Sequence, residues 1–488
     1  MKMRAAEEPE ANHHGTAAPA LFNKDISALH ACVIGLLVSI VICFPWIRDT
    51  ARDWNSTAAP SWEGVFADSP LARTSQVCDI DTFLIHQGVI EAPGFTDTFR
   101  WWHGIWAGKV VFYRPVTSEL FWLEWKAFGV HETRYAVFAI LLHLAAVWQF
   151  CRLAHALFKR VGSIPPGYSA LLACLIFSAG CWVLPVRDDT MRQVYGAWKN
   201  MPESLSTVFW CLSLRAVLAA QPLADGRNFI IRNLVPALWY LAVCGTKEAG
   251  MLLPVAAFVL EVGEIRRGGQ AAKMAYCRLS ALVAAFAIYM IVRYYSLHTA
   301  VGFRYGSNGT WLSRMADILI GMPATAVRTG RWAQIIAAGV LVLLAVLTVP
   351  WDGNGKWIAR KGLIGAGVAG AAGFTASLLI NLEAPILVRP VWLIIQIWDL
   401  GPPGSYVGLA LFVLGTGYCI RFLPWMALFG VAWLAACAAL LAFTPTSNHR
   451  LYLTDGGWAV ILSAGLIQWG VIATSGCRLW TRRSGSRL

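Results

Sequence analysis

The sequence predicts an all-α fold, a polytopic membrane bundle of about twelve spanning helices. Three observations carry this. The chain is 57% hydrophobic and only 14% charged over 488 residues, with a mean hydropathy of +0.55, whereas soluble domains carry about a quarter charged residues. Its apolar residues come in continuous blocks of roughly 15–20, the length that crosses a bilayer as a helix. The blocks do not alternate, which argues against a transmembrane barrel.

In chain order, residues 1–27 are polar, with Glu7, Glu8, Glu10, His13 and His14. They lack the charged start and prompt apolar segment of a signal peptide. They read as a disordered cytosolic tail before an uncleaved signal-anchor helix. Spans are expected near 28–47, 132–150, 169–186, 204–220, 234–246, 249–262, 275–292, 332–350, 363–381, 407–420, 424–443 and 457–474. The fifth, sixth and tenth are short, which suits a tilted, broken or re-entrant segment. Residues 28–474 thus form the membrane domain, and 475–488 a basic cytosolic tail.

Orientation follows from the positive-inside rule. With the N-terminus inside, the cytosolic segments, counted with Arg278 and Arg421, hold 20 Lys and Arg, against 6 in the short outside loops. Both termini are therefore expected in the cytosol. Two outside loops are long, 48–131 and 293–331. The first holds WWHGIW (101–106), which suits an interfacial helix, and WLSRMADILIGM (311–322) in the second suits a surface segment. The net charge of +13 sits mostly beside spans, so anionic headgroups explain it and no nucleic-acid partner is expected. The twelve cysteines lie mostly in apolar blocks (Cys43, Cys174, Cys244, Cys437) and read as small core residues.

The ionisable clusters gather on the outside. They are Asp79 and Asp81 in CDIDTF, Arg114 in YRPV, Asp188 and Asp189 in VRDDTM, Lys247 and Glu248 in GTKEAG, and His449 and Arg450 in SNHRLYL. Lys247 and Glu248 fall between two apolar stretches, where charge is costly unless it faces protein or a wet cavity. They read either as an ion pair pinning a hairpin or as a cation aimed at an anionic substrate with Glu248 supporting it. Two carboxylates two apart, Asp79 and Asp81, suit a shared cation, a base with an orienting partner, or a solvated loop. Arg114 caps a turn or grips phosphate. His86 and His103 are weaker metal-ligand candidates.

At 113–150, YRPVTSELFWLEWKAFGVHETRYAVFAILLHLAAVWQF, the chain resembles the GT-C superfamily of membrane glycosyltransferases. It is most similar to bacterial relatives of the transmembrane O-mannosyltransferases that carry tetratricopeptide repeats. The resemblance rests on Asp79 and Asp81, then Tyr113-Arg114-Pro115, then Leu141-Leu142-His143. It continues in TMRQVYGAWKNMPESLS (190–206), CGTKEAGMLLP (244–254) and HRLYL (449–453), so it covers about 75–262 and 444–474. The middle of the chain is matched in hydropathy alone. Ile80 separates an acidic pair that is often adjacent in the family, leaving open which aspartate is the chemical one. No repeats follow the last helix.

The resemblance implies inverting transfer of a sugar from a polyprenyl-phosphate donor to a glycan, lipid or protein acceptor at the outer face of a bacterial inner membrane. It implies Asp79 or Asp81 as the catalytic carboxylate and Arg114, Lys247 and Arg450 as the donor-phosphate cations. Glu248, Tyr113, Asp189 and His449 then support them. Asp79 and Asp81 permit a divalent ion (Mg or Mn) without demanding one. The competing class is a transporter or flippase, which tends to place charges mid-span at broken helices. A polymerase or ligase of surface polysaccharide shares the long outside loop.

Overall fold

The computed structural model describes residues 25–40, 88–107, 112–129, 132–183, 201–219, 229–298, 402–441 and 452–485. Among them every regular element is helical. They are α1 (Ala28–Ile40), α2 (Phe95–Thr98), α3 (Pro115–Phe128), α4 (Glu132–Val161), α5 (Pro166–Val183), α6 (Met201–Ala219), α7 (Phe229–Thr246), α8 (Leu253–Arg267), α9 (Gly269–Leu297), α10 (Pro402–Phe422), α11 (Pro424–Leu441) and α12 (Tyr452–Gly485).

Three helical segments are each long and apolar enough to cross a bilayer: Val137–Val161, Gly269–Leu297 and Leu453–Ile472. A fourth candidate is Phe412–Phe422 joined to Pro424–Ala439, bent by 119°. The bend falls at Leu423, just before Pro424, which cannot donate to the preceding helix. The chain is therefore a helical membrane protein. The predicted spans 332–350 and 363–381, and the segment 311–322, lie outside the described residues. Each other predicted span falls on a helix over its described part, save that the sixth opens with the 3₁₀ turn Glu248–Gly250 and two turn residues before α8 begins at Leu253. The tenth and eleventh, expected as separate crossings, are the two arms of the bent pair.

The bundle is held by a continuous apolar core. Helix α4 packs on α5 and α6, α6 on α7, α7 on α9, α8 on α9 and α11, and α12 on α5, α10 and α11. Phe150 stacks on Phe177 at 4.5 Å. Trp210 lies 5.4 Å from Trp433, whose indole N–H donates to the Leu453 carbonyl at 2.9 Å. The described cysteines of this core, Cys174, Cys244 and Cys437 included, are free and buried, with Cys277 on α9 exposed. Helices α10 and α12 touch almost backbone to backbone, since a Cβ on Gly465 would lie 1.6 Å from the Gly415 carbonyl oxygen. Small residues at such contacts let helices approach where no hydrophobic driving force separates protein from lipid.

Two expectations are corrected. Arg278, counted above as a cytosolic loop cation, is buried within α9 and holds Glu261 of α8 with two parallel bonds of 2.7 and 2.8 Å. The WWHGIW segment is not one interfacial helix. Only Trp101 and Trp102 belong to a 3₁₀ turn, Phe99–Trp102. The chain then leaves it, and the Trp106 N–H bonds the Phe112 carbonyl. Trp101 and Trp106 are buried in a second core with Phe112, Phe121, Trp122 and Tyr135, while Trp102 stays exposed.

Candidate functional site

The site is built at the junction between α7 and α8. Lys247 takes an extended conformation (φ −156°, ψ 140°) and starts a 3₁₀ turn, Glu248–Gly250. The change from extended backbone at Lys247 to the turn at Glu248 sends the two side chains to different partners. Gly250 lets the turn fold onto α7, because a Cβ there would lie 1.9 Å from Val243 Cγ1.

Glu248 faces two guanidinium groups. Arg114 Nε donates to Glu248 Oε2 at 2.8 Å, and Arg114 Nη2 lies 2.6 Å from the same oxygen. Arg293, near the end of α9, donates from Nη1 to Glu248 Oε1 at 3.4 Å. Arg114 sits just before α3, whose first residue is Pro115; a residue preceding proline avoids the helical region, and Arg114 (φ −136°) does so. Its guanidinium also lies over the Phe112 ring at 4.2 Å and the Trp106 ring at 5.0 Å, within cation–π range.

A tyrosine pair closes the network. Arg293 Nη1 donates to the Tyr289 hydroxyl at 3.2 Å, and that hydroxyl donates to the Tyr113 carbonyl at 3.3 Å. The Tyr113 hydroxyl donates to the Trp102 carbonyl at 2.8 Å. Thr117 Oγ1 donates to the Thr246 carbonyl at 2.7 Å, tying α3 to the end of α7. Burial pushes the Tyr113 phenol up to about 12, so it is a neutral hydrogen-bond donor. Burial also pushes the Glu248 carboxyl up, but the Arg114 and Arg293 cations outweigh it and hold it below the usual carboxylate range.

Lys247 does not pair with Glu248. Its ammonium meets the carboxylate of Glu203, in the first turn of α6, and both side chains are buried. The expected role of Glu248 as support for Lys247 is therefore corrected: Glu248 supports Arg114 and Arg293, and Glu203 supports Lys247. Among the described residues Arg114 and Arg293 thus share Glu248, and Lys247 pairs with Glu203.

All five charges lie at one end of the bundle, at the starts of α3 and α6 and the ends of α7 and α9. The opposite end holds a different set. There Arg160 and Arg267 meet Glu264, and Asp25 accepts the Gly167 N–H at 2.9 Å and the Tyr168 N–H at 3.3 Å.

The structure thus brings Tyr113, Arg114, Lys247 and Glu248 together. Asp79, Asp81, Asp189, His449, Arg450 and His86 lie outside the described residues. His103 is exposed beside the 3₁₀ turn. Among the described residues no group of three His, Cys, Asp or Glu is placed to hold a metal ion, and a Mg or Mn site would rest on Asp79 and Asp81. The network adds Glu203 and Arg293, each at a helix end. No family model, curated protein or solved structure matches this chain.

Proposed function

We propose that this chain is a membrane glycosyltransferase of the GT-C type, moving a sugar from a polyprenyl-phosphate donor to an acceptor hydroxyl. The observation that carries the reading is the convergence of Arg114, Lys247 and Arg293 with Glu203 and Glu248 at one end of the bundle. An anionic phosphate is the group such a cluster suits, because preorganised cations in a water-poor site stabilise developing negative charge strongly. The clustering also sets YRP and the Lys-Glu turn, far apart in sequence, side by side.

In the proposed reaction a carboxylate of the acidic pair Asp79 and Asp81 takes the acceptor hydroxyl proton. The acceptor oxygen attacks the anomeric carbon from the face opposite the phosphate. The bond from anomeric carbon to phosphate oxygen breaks, and its electron pair leaves on the lipid phosphate. Arg114, Lys247 and Arg450 meet that charge, with Arg293 and Glu248 fixing Arg114 and Glu203 fixing Lys247. The reading includes about twelve spans, both termini in the cytosol, and the site on the outer face of a bacterial inner membrane.

The 119° break between α10 and α11 favours a second reading, a transporter or flippase, since broken helices are a device of transporters. One experiment separates the two. Purified protein in lipid is given a polyprenyl-phosphate sugar and an acceptor extract, and sugar transfer is compared for parent, Asp79→Asn and Asp81→Asn. Loss of one well-placed base costs about 10²–10⁴ in rate, so one variant should lose transfer while remaining folded. Parental transfer by both folded variants removes the proposed site. Movement of intact donor across the membrane without transfer establishes the transporter.

A further inference from the structure

The end of the bundle opposite the site carries a second group of cations. Arg152 on α4 and Arg215 on α6 are close enough to repel each other. Arg215 Nη1 donates to Gln149 Oε1 at 2.6 Å. Gln149 and Arg152 are three apart on α4 and so share a helix face, which puts both guanidinium groups along one seam. Arg152 is exposed and Arg215 half-buried. Arg160, Arg267 and Arg278 of the same end are each met by a carboxylate. Among the described residues neither Arg152 nor Arg215 is.

Their depth is set by neighbours. Cys151, next to Arg152, lies 3.9 Å from the Ala170 carbonyl and touches Cys32. Ala170 is four residues inside the start of α5, Cys32 four inside the start of α1, and Arg215 four inside the end of α6. At 1.5 Å per residue that is about 6 Å from three helix ends. An arginine side chain spans that distance, so measured from these three helix ends each guanidinium can reach the end of the bundle while its stem stays in the apolar layer; α4 itself runs nine residues further, to Val161.

We propose that Arg152 and Arg215 form a binding site for the phosphate of an anionic membrane phospholipid. A guanidinium this close to hydrocarbon is costly without a counter-charge. A phosphodiester supplies that charge together with oxygens that accept the parallel N–H groups of the fork. The seam between α4 and α6 positions the lipid chains against the bundle.

Native mass spectrometry of the full chain with added phosphatidylglycerol or phosphatidylcholine tests this. Parent protein should retain phosphatidylglycerol and release phosphatidylcholine. At about 1 kcal/mol for each basic residue near a membrane surface, Arg152→Gln with Arg215→Gln should weaken phosphatidylglycerol binding about 30-fold. Arg152→Gln alone, at an exposed position, should show part of the loss even if the double variant does not fold. Unchanged retention by Arg152→Gln overturns the proposal. So does an equal loss from Arg267→Gln, a neighbouring cation already paired with Glu264, because the effect would then be general surface charge.

Discussion

Replacing Glu248 by Gln should be among the most damaging single changes at the site, although the side chain keeps its shape. Glu248 is the shared anion of two cations whose own charges cannot be removed. The side chains of Arg114, Arg293 and Glu248 are only 14%, 3% and 18% exposed, so water does little to screen what remains. Removing one partner of a buried ion pair costs about 3–5 kcal/mol, because the other charge is left uncompensated. The amide oxygen of Gln still accepts one bond, and the site is not fully dry, so a loss of about 2–4 kcal/mol is expected. Unfolding of the purified protein in mixed micelles of rising SDS content measures it. Glu91→Gln provides the surface comparison, since Glu91 lies 3.9 Å from Arg100 with both side chains well exposed; pairs of that kind are worth at most about 1 kcal/mol. Adding Arg293→Gln to Glu248→Gln removes an uncompensated charge and should recover part of the loss. If Glu248→Gln costs no more than Glu91→Gln, the network does not hold Arg114 in place.

The same residue sets a pH dependence. The folded carboxyl lies below its ordinary value of 4.5. Its contribution to stability is therefore complete above that pH and is lost as pH falls through the lower folded value. Glu248→Gln should flatten the acid limb of the stability curve and leave the neutral region displaced uniformly.

Two more outcomes are expected. Lys247→Met strands the buried Glu203 carboxylate and should cost about 3–5 kcal/mol in the SDS titration, most of it recovered by adding Glu203→Gln; no recovery would mean that the two charges are not coupled. Gly465→Ala forces α10 and α12 apart and should cost about 1–3 kcal/mol, while Gly470→Ala, whose added Cβ meets nothing within 4 Å, should melt like the parent.

What the sequence made legible and what it hid divide along one physical line. Hydropathy summed over a span averages out local detail, so the helices stood out; Lys247 and Glu248 stood out because they interrupt an apolar run, Arg114 as a loop cation, and Tyr113 through the resemblance alone. Pairing was another matter. Lys247 beside Glu248 reads as one ion pair, yet an extended residue followed by a 3₁₀ turn sends the two side chains to different helices. Their partners lie far away in the chain: Glu248 and Arg114 are 134 residues apart, and Glu248 and Arg293 are 45 apart. The two residues missed, Glu203 and Arg293, were lost to boundaries. Span 204–220 begins one residue after Glu203, and span 275–292 ends one residue before Arg293, so both read as loop charges in water. In the structure α6 starts at Met201 and α9 runs to Leu297, and both charges are buried within the helices. A helix extends through a charged residue at its end when a counter-charge waits there, because the pair offsets the desolvation that would otherwise end the apolar run. Hydropathy scores each residue alone and must stop one residue short. The charges just beyond predicted span ends are thus the ones to test for partners, and here they are the two that complete the site.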